Sequence, residues 1–281
     1  MSPEDEYCFN LVRQVDRDRY LASLFAPEDK RADLLALYAF NAEITRVRDV
    51  VTEPHLGEIR LQWWQDTLDA IYHGDVQEHP VAIALARAIA AADLPKHAFK
   101  NLATAHIFDF YSDPMRSLVD LEGYMGETSS ALIQMASLIL AGHEGLENAE
   151  VSGLAGVAYG MAEILRTLPK QQKYSQNFIP VELLAARDLK PAEIWLVENS
   201  DAASVLLAEF REKARARLFQ AQKMTWTIKP AAMPAFLHVA LTAPYLEFAA
   251  RQGVNLLHQG GELSQWRKQW ILWKASRMES F

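Results

Sequence analysis

Cysteine is nearly absent from the chain. Cys8 stands alone among 281 residues, which excludes an intrachain disulfide and a multi-cysteine zinc site and fits a reducing compartment. Long apolar runs are missing as well: no stretch approaches the roughly 18 uninterrupted apolar residues of a membrane-spanning helix. The protein is therefore expected to be soluble or peripheral. Positive charge is in deficit, with a net charge of −8 and dispersed Lys and Arg, which argues against a nucleic-acid partner. The glycines at 142, 145, 153, 156 and 160 follow no strand and lack phosphate-loop spacing. No G-x-S-x-G, HExxH, C-x-x-C or GxGxxG occurs, so the common hydrolase, zinc-protease, redox and dinucleotide signatures are eliminated. The opening MSPEDEYCFN has neither a basic n-region nor an apolar run, so it reads as neither a secretory signal nor a transit peptide.

What is abundant is helix former in helix rhythm. Half the residues are hydrophobic, Ala, Leu, Glu, Gln and Arg dominate, and alternating Val/Ile/Thr runs are almost missing. This predicts an all-α fold, one domain over residues 1–281, with about a dozen helices around a central cavity. Residues 31–74 form its organising hairpin. Leu34, Leu37, Ile44, Val47 and Val51 make one buried stripe, Ile59, Trp63, Leu68 and Ile71 a second, and Glu53-Pro54 separates them. Residues 8–26 read as a first helix and 96–112 as a later one. On the latter, His106, Asp109 and Asp113 share a face that suits either a metal-ligand set or a solvated helix end. Pro244 is expected to kink a buried helix near the C-terminus. In the final run, LSQWRKQWILWKASR, Leu263, Trp266, Trp270 and Trp273 form a stripe flanked by Arg267, Lys268, Lys274 and Arg277. That stripe either closes the core or makes peripheral membrane contact, tryptophans inward and cations toward anionic head groups.

Several stretches resemble the squalene/phytoene synthase family. LLALYAFNAEITRVRD is similar to its first signature, ALYAFCR followed by DxxxD; DRYLASLFAPEDKR is similar to RSFYLAxxLLPxxKR. RSLVDLEGYMGETSSALIQMASLIL resembles RYxTxxELxxYCxxVAGxVG, with Tyr124 in place and Glu127 to Ala131 on the small-residue segment. Residues 156–184 resemble the second signature, NILRDVxxDxxxGRxYLPxDLL, with Glu163-Ile164-Leu165-Arg166 on Asn-Ile-Leu-Arg. The resemblance spans essentially the whole chain and implies an isoprenoid-synthase-like bundle whose cavity is bordered by Asn41, Tyr124, Thr128 and Glu163. On that alignment the aspartates are mostly replaced. Thr45, Arg46 and Asp49 occupy the first motif and Thr167 and Gln171 the second, so Asp49 alone keeps a carboxylate, while Pro169 is expected to end the helix and spoil the spacing between the last two.

In the family the resemblance points to, ionising an allylic diphosphate needs Mg²⁺ ions held by carboxylates and substrate phosphates. With Arg46, Arg48 and Lys170 nearby, this chain offers cations instead, suited to an anion or to solvent. The details resemble one branch in particular, the mitochondrial complex I assembly factors: ALYAFNAEITRVRD, EIRLQWWQDTLDAIY, HPVAIAL, LRTLP and a late PAFL. Two readings follow. The first is a non-catalytic assembly or lipid/prenyl-binding factor for a respiratory complex, with no catalytic residue, no metal and no cofactor, and with an isoprenoid or lipid as candidate ligand. The second is a prenyltransferase using farnesyl or geranylgeranyl diphosphate, which would need Mg²⁺ and would recruit Glu43, Glu127 or Glu163. The expected location is the cytoplasm or inner-membrane face of a bacterium, or the matrix side of a mitochondrion if the sequence is a mature form.

Overall fold

Leu34, Leu37, Ile44, Val47 and Val51 are buried as their spacing predicts, and the helix that carries most of them is an inner post of the molecule. The structure, a computed structural model, describes residues 2–281. Helix α1 (Pro3–Val15) starts on a capping box in which Ser2 Oγ accepts from Asp5 N at 3.2 Å and the Asp5 carboxylate accepts from Ser2 N at 3.1 Å. Asp16 then caps α2 (Arg17–Ser23), so the expected helix over 8–26 is two, cut by a residue that prefers a cap to a helix interior. The hairpin follows as α3 (Glu28–Thr45), a single turn α4 (Val47–Val50) and α5 (Pro54–Tyr72), with Pro54 in its first turn. Next come α6 (Pro80–Ala92) and α7 (Lys96–Ala105), the latter tightening into a 3₁₀ turn over His106–Phe110.

Helix α8 (Leu118–Met125) passes through a π-helical turn, Gly126–Ser130, into α9 (Ala131–Ala141). The second inner post is α10 (Ala149–Arg166), followed by α11 (Leu168–Lys173), α12 (Val181–Ala185) and the long α13 (Ser200–Lys223). The chain closes with α14 (Met233–Phe236), a 3₁₀ turn over Leu237–Leu241, α15 (Thr242–Gln252), α16 (Leu256–Gln259) and α17 (Gln265–Met278). The break expected at Pro244 falls just ahead of it, where the proline occupies the first turn of α15. No strand occurs among the described residues, and the all-α expectation holds. The helical segments outnumber the expected dozen because caps and prolines cut long runs into short pieces. Helix α3 is packed by α1, α6 and α9, and α10 by α9, α13 and α15, around one core running from Cys8 to Ala275. Inside that core burial pushes the Cys8 thiol up to about 12, so it stays protonated and inert.

One expected stripe is corrected. On α5 the core takes Leu61, Trp64, Leu68 and Ile71, while Ile59 and Trp63 face outward. The Trp63-Trp64 pair made the register ambiguous. Trp64 settles it by placing its ring edge-on to Phe40, centroids 5.2 Å apart.

The termini of this bundle are tied together by a buried carboxylate. Asp18 on α2 accepts hydrogen bonds from Tyr245 Oη at 2.6 Å, Lys268 Nζ at 2.7 Å, and Tyr159 Oη and Arg166 Nη1 at 3.2 Å each. Burial alone would raise its pKa, but the Arg166 and Lys268 charges and the hydrogen bonds from Lys268 and Tyr245 outweigh that and hold it lowered. Because its folded pKa lies below the unfolded one, its contribution is present above the unfolded carboxylate range and is lost as pH falls through the folded value. Lys268→Met should therefore cost about 3 kcal/mol or more by leaving part of a buried charge uncompensated. Thermal unfolding should show the variant's deficit at pH 7 and its shrinkage toward pH 3; a deficit that does not depend on pH would mean that lost packing, not the ion pair, is responsible.

Candidate functional site

A cavity of about 230 Å³ opens between α3, the His106–Phe110 turn, the α8–α9 segment, α10 and α11. Its wall exists because two helices approach unusually closely. A Cβ at Gly156 would overlap the backbone of Ser130, so α10 can lie against the π-helical turn only with glycine there, while one at Gly160 would overlap the flexible Met125 side chain at its sulfur. The sequence reading weighed these glycines only against phosphate loops; their four-residue spacing on one helix face, opposite a segment of small residues, was the available signal.

Of the residues expected at the site, Asn41, Thr45 and Arg48 reach the cavity from the first hairpin. Tyr124, Thr128 and Glu163 reach it from the opposite wall, and Thr167, Lys170 and Gln171 at the mouth. Arg46 and Asp49 do not line it. They border an adjoining polar groove of about 480 Å³ that has Asp18, Arg166 and Lys268 in its wall. Pro169 does not separate the second-motif pair as expected: α10 ends one turn earlier, and Pro169 sits in the first turn of α11, where its missing N–H is no loss. Gln171 N still donates to Thr167 O at 3.0 Å and Gln171 Nε2 approaches Thr167 Oγ1 at 3.3 Å. The four-residue spacing is kept by two uncharged side chains. Both hydroxyls turn back onto their own helices, Thr45 Oγ1 donating to Asn41 O at 3.0 Å and Thr167 Oγ1 to Glu163 O at 2.8 Å.

Asp49, the remaining motif carboxylate, is engaged: Lys170 Nζ donates to Oδ2 at 2.9 Å and Tyr174 Oη to Oδ1 at 3.0 Å, while the Arg48 guanidinium stacks over the Tyr174 ring at 4.3 Å. This bridge joins the end of the first hairpin to α11. It is half-exposed, so its ion pair contributes at most about 1 kcal/mol, but its geometry places cations where a metal-binding cavity needs acids. Among the described residues no three His, Cys, Asp or Glu side chains are grouped to hold a metal ion. Glu163 lies 2.8 Å from Arg166, and burial raises its carboxyl against that charge. Glu43 pairs with Arg46 at 3.4 Å over a different surface, and Glu127 is exposed. The donor set does not fit a Mg²⁺ cluster, whose octahedral shell needs converging oxygen ligands.

His106 and Asp109 are neither a metal pair nor a solvated face. Both line the cavity: His106 Nδ1 donates to Asp109 Oδ2 at 2.7 Å and Tyr124 Oη donates to Asp109 Oδ1 at 2.8 Å. Burial and the Asp109 charge together hold the Tyr124 phenol protonated, well above its ordinary range. Asp113 falls beyond the turn and lines a separate surface pocket. The α-helical reading of residues 96–112 missed the switch to 3₁₀, which stacks residues three apart and drops the third member.

At the C-terminus the expected stripe divides. Leu263, Lys268, Leu272 and Ala275 are buried, whereas Trp266, Trp270 and Trp273 are 83%, 63% and 45% exposed. The tryptophans do not close the core. Nor is Lys268, only 2% exposed, free to meet a head group as its place in the sequence suggested.

A family model described as Squalene/phytoene synthase matches residues 12–274. The NADH dehydrogenase (ubiquinone) complex I, assembly factor 6 of Homo sapiens is 28% identical over 255 residues, covering 90% of this chain and 76% of the relative. Phytoene synthase of Thermus thermophilus is 24% identical over 221 residues, 77% of this chain and 73% of that protein. Among solved structures, a dehydrosqualene synthase in complex with ligand superposes with a TM-score of 0.84 at 17% identity, over 98% of this chain and 96% of that one, a likeness of fold.

Gly156→Ala should destabilise the protein by about 1–3 kcal/mol, since its methyl meets backbone that cannot step aside. Gly160→Ala should cost less, because the flexible Met125 side chain can move. At about 2–4 °C per kcal/mol for chains of this size, melting temperatures separate the two. An equal or reversed order would deny that the α10 contact sets the cavity wall.

Proposed function

We propose that this chain, which belongs to the squalene/phytoene synthase family, is a non-catalytic factor in the assembly of a respiratory NADH dehydrogenase complex, and that its cavity is kept for binding rather than prenyl transfer. The observation that carries this reading is the Lys170–Asp49–Tyr174 bridge at the cavity mouth. Prenyl-diphosphate chemistry needs a cluster of carboxylates there to hold Mg²⁺ against the departing pyrophosphate. An uncharged Thr–Gln pair and an ion-paired aspartate supply neither the charge nor the open coordination positions. The name of the human relative, an assembly factor over three quarters of its length, supports the same direction.

The test has two arms. Incubated with farnesyl or geranylgeranyl diphosphate and millimolar Mg²⁺, the protein should release pyrophosphate no faster than a protein-free control; turnover abolished by Asp49→Asn would restore the enzyme reading. Deleting the gene in its own organism should reduce the amount of assembled NADH dehydrogenase complex on native gels, and restoration by the Asp49→Asn variant would place the role outside metal chemistry. Unchanged complex in the deletion strain would refute the assembly role.

We also propose a peripheral membrane contact through α17. No helix of the described residues is long and apolar enough to cross a membrane. Yet Trp266, Trp270 and Trp273 point away from the core beside Arg267, Lys274 and Arg277, and α17 has no acidic residue although the chain as a whole is at −8. Tryptophans flanked by cations suit an anionic interface. Wild type should sediment with anionic liposomes at low salt and detach partly as salt rises. The triple variant Arg267→Gln, Lys274→Gln, Arg277→Gln, which spares the buried Lys268, should bind several-fold more weakly. Equal sedimentation of the two proteins would end this reading.

A further inference from the structure

The likeness to the complex I assembly factors includes two stretches that the cavity does not use. EIRLQWWQDTLDAIY (residues 58–72) and HPVAIAL (residues 79–85) supply no side chain to the cavity wall or to the polar groove beside it. Both reach a separate surface pocket of about 190 Å³, where they meet Glu43 and Arg46 of ALYAFNAEITRVRD. Its wall is aromatic. Trp63 and Trp64 lie edge-on with ring centroids 4.9 Å apart, and the His79 ring stands against them at 5.5 and 5.3 Å. Burial lowers the His79 pKa, so this ring is uncharged at pH 7. Two guanidiniums line the same pocket: Arg46 pairs with Glu43 at 3.4 Å, whereas Arg60 is exposed and makes no ion pair among the described residues. Beside the pocket, Val50, Ile59 and Trp63 are 49%, 62% and 41% exposed, and Leu56 extends their stripe along the same face of α5.

We propose that this pocket docks an acidic segment of a partner protein, one apolar side chain entering against Trp63 and a neighbouring carboxylate pairing with Arg60. Charge complementarity selects that occupant. With Glu43 offset by Arg46, Arg60 leaves one uncompensated positive charge on a chain whose net charge is −8. The aromatic wall alone would suit a cation, but two guanidiniums in the same pocket repel one. A concave site takes an inserted side chain, which the flat surface of a bilayer does not offer. Tryptophan and arginine are also the side chains that carry most energy in protein interfaces, and here they stand together at the centre of an exposed apolar stripe. The proposal is independent of what the cavity holds and of which complex the partner belongs to.

The probe is a random peptide library displayed on phage and selected on the immobilised full chain, with the double variant Ile59→Asp, Arg60→Glu as counter-selection. Both side chains are exposed, so the variant should melt close to wild type. Clones held by wild type and not by the variant should carry an aromatic or branched apolar residue with Asp or Glu within one helical turn. Synthesised with a fluorophore and followed by anisotropy, such a peptide should bind Arg60→Gln and Trp63→Ser each about tenfold more weakly than wild type, the loss expected on removing one interface anchor. Its affinity should fall as salt rises. The α17 triple variant should bind it as wild type does. A selection that yields no clone, clones held equally by wild type and variant, or clones that are basic or uncharged would overturn the proposal. So would an affinity that Arg60→Gln leaves unchanged. An Ile59→Asp protein that loses sedimentation with anionic liposomes while its α17 is intact would assign the face to lipid and overturn it as well.

Discussion

Asp18 is a carboxylate 3% exposed, and it survives inside the protein only because four donors from three other helices converge on it. Moving such a charge out of water costs several kcal/mol, so the arrangement is tolerable only with its partners in place. That condition orders much of the fold. Tyr159 and Arg166 fix where α10 ends, Tyr245 fixes the roll of α15, and Lys268 fixes that of α17. Glu262, in the segment before α17, contacts both Arg166 and Lys268 and balances the second positive charge. The second, tenth, fifteenth and seventeenth helices lie far apart in sequence, and local propensity says nothing about their relation. A single buried anion does.

Much of the fold was legible in the sequence because helix periodicity is a local property. The first stripe of the hairpin, the break at Pro54 and the all-α class all followed from spacing and from proline chemistry. Misreadings arose where two registers satisfied the same pattern or where the helix changed type. Ile59 and Trp63 made as good a stripe as Leu61 and Trp64, and only the ring of Phe40, brought in from another helix, chose between them. His106, Asp109 and Asp113 obeyed α-helical spacing, but the segment tightens to 3₁₀ where it meets the cavity. The site residues were found by resemblance, not by physics: nothing in the composition marks Asn41 or Thr128. The role of Lys268 could not be seen at all, since a lysine between tryptophans reads as surface until Asp18 is known to lie beneath it.

The cavity separates geometry from chemistry. Thr167 and Gln171 hold the spacing of a four-residue pair across a proline, and Thr45 and Asn41 face them from α3. The helices converge on one space. What converges is hydroxyls folded back on carbonyls and an amide, beside an aspartate held by a lysine and a tyrosine, with Arg48 and Glu163 in the same wall. Second-shell losses alone weaken a metal site by about 10–100-fold, and of the four main positions that the family resemblance aligns with aspartates this chain has a carboxylate at Asp49 alone.

The buried ion pair also explains the surface that the membrane reading uses. On an α-helix, residues at 268, 272 and 275 share one face, and those at 266, 270 and 273 lie on the opposite one. Once Lys268 is drawn inward to Asp18, the roll of α17 is set, and Leu272 and Ala275 follow it into the core. The tryptophans are then forced outward. Trp270 and Trp273 stack on each other at 5.0 Å, and Arg277 lies over Trp273 at 5.6 Å, contacts that shield some apolar area but leave most of it open. Rotating the helix to bury them would carry Lys268 away from Asp18, leave that buried carboxylate with one cation, and turn Leu272 and Ala275 out of the core. The exposed aromatic stripe is thus a consequence of the core electrostatics, and an apolar partner outside the chain is what would relieve it.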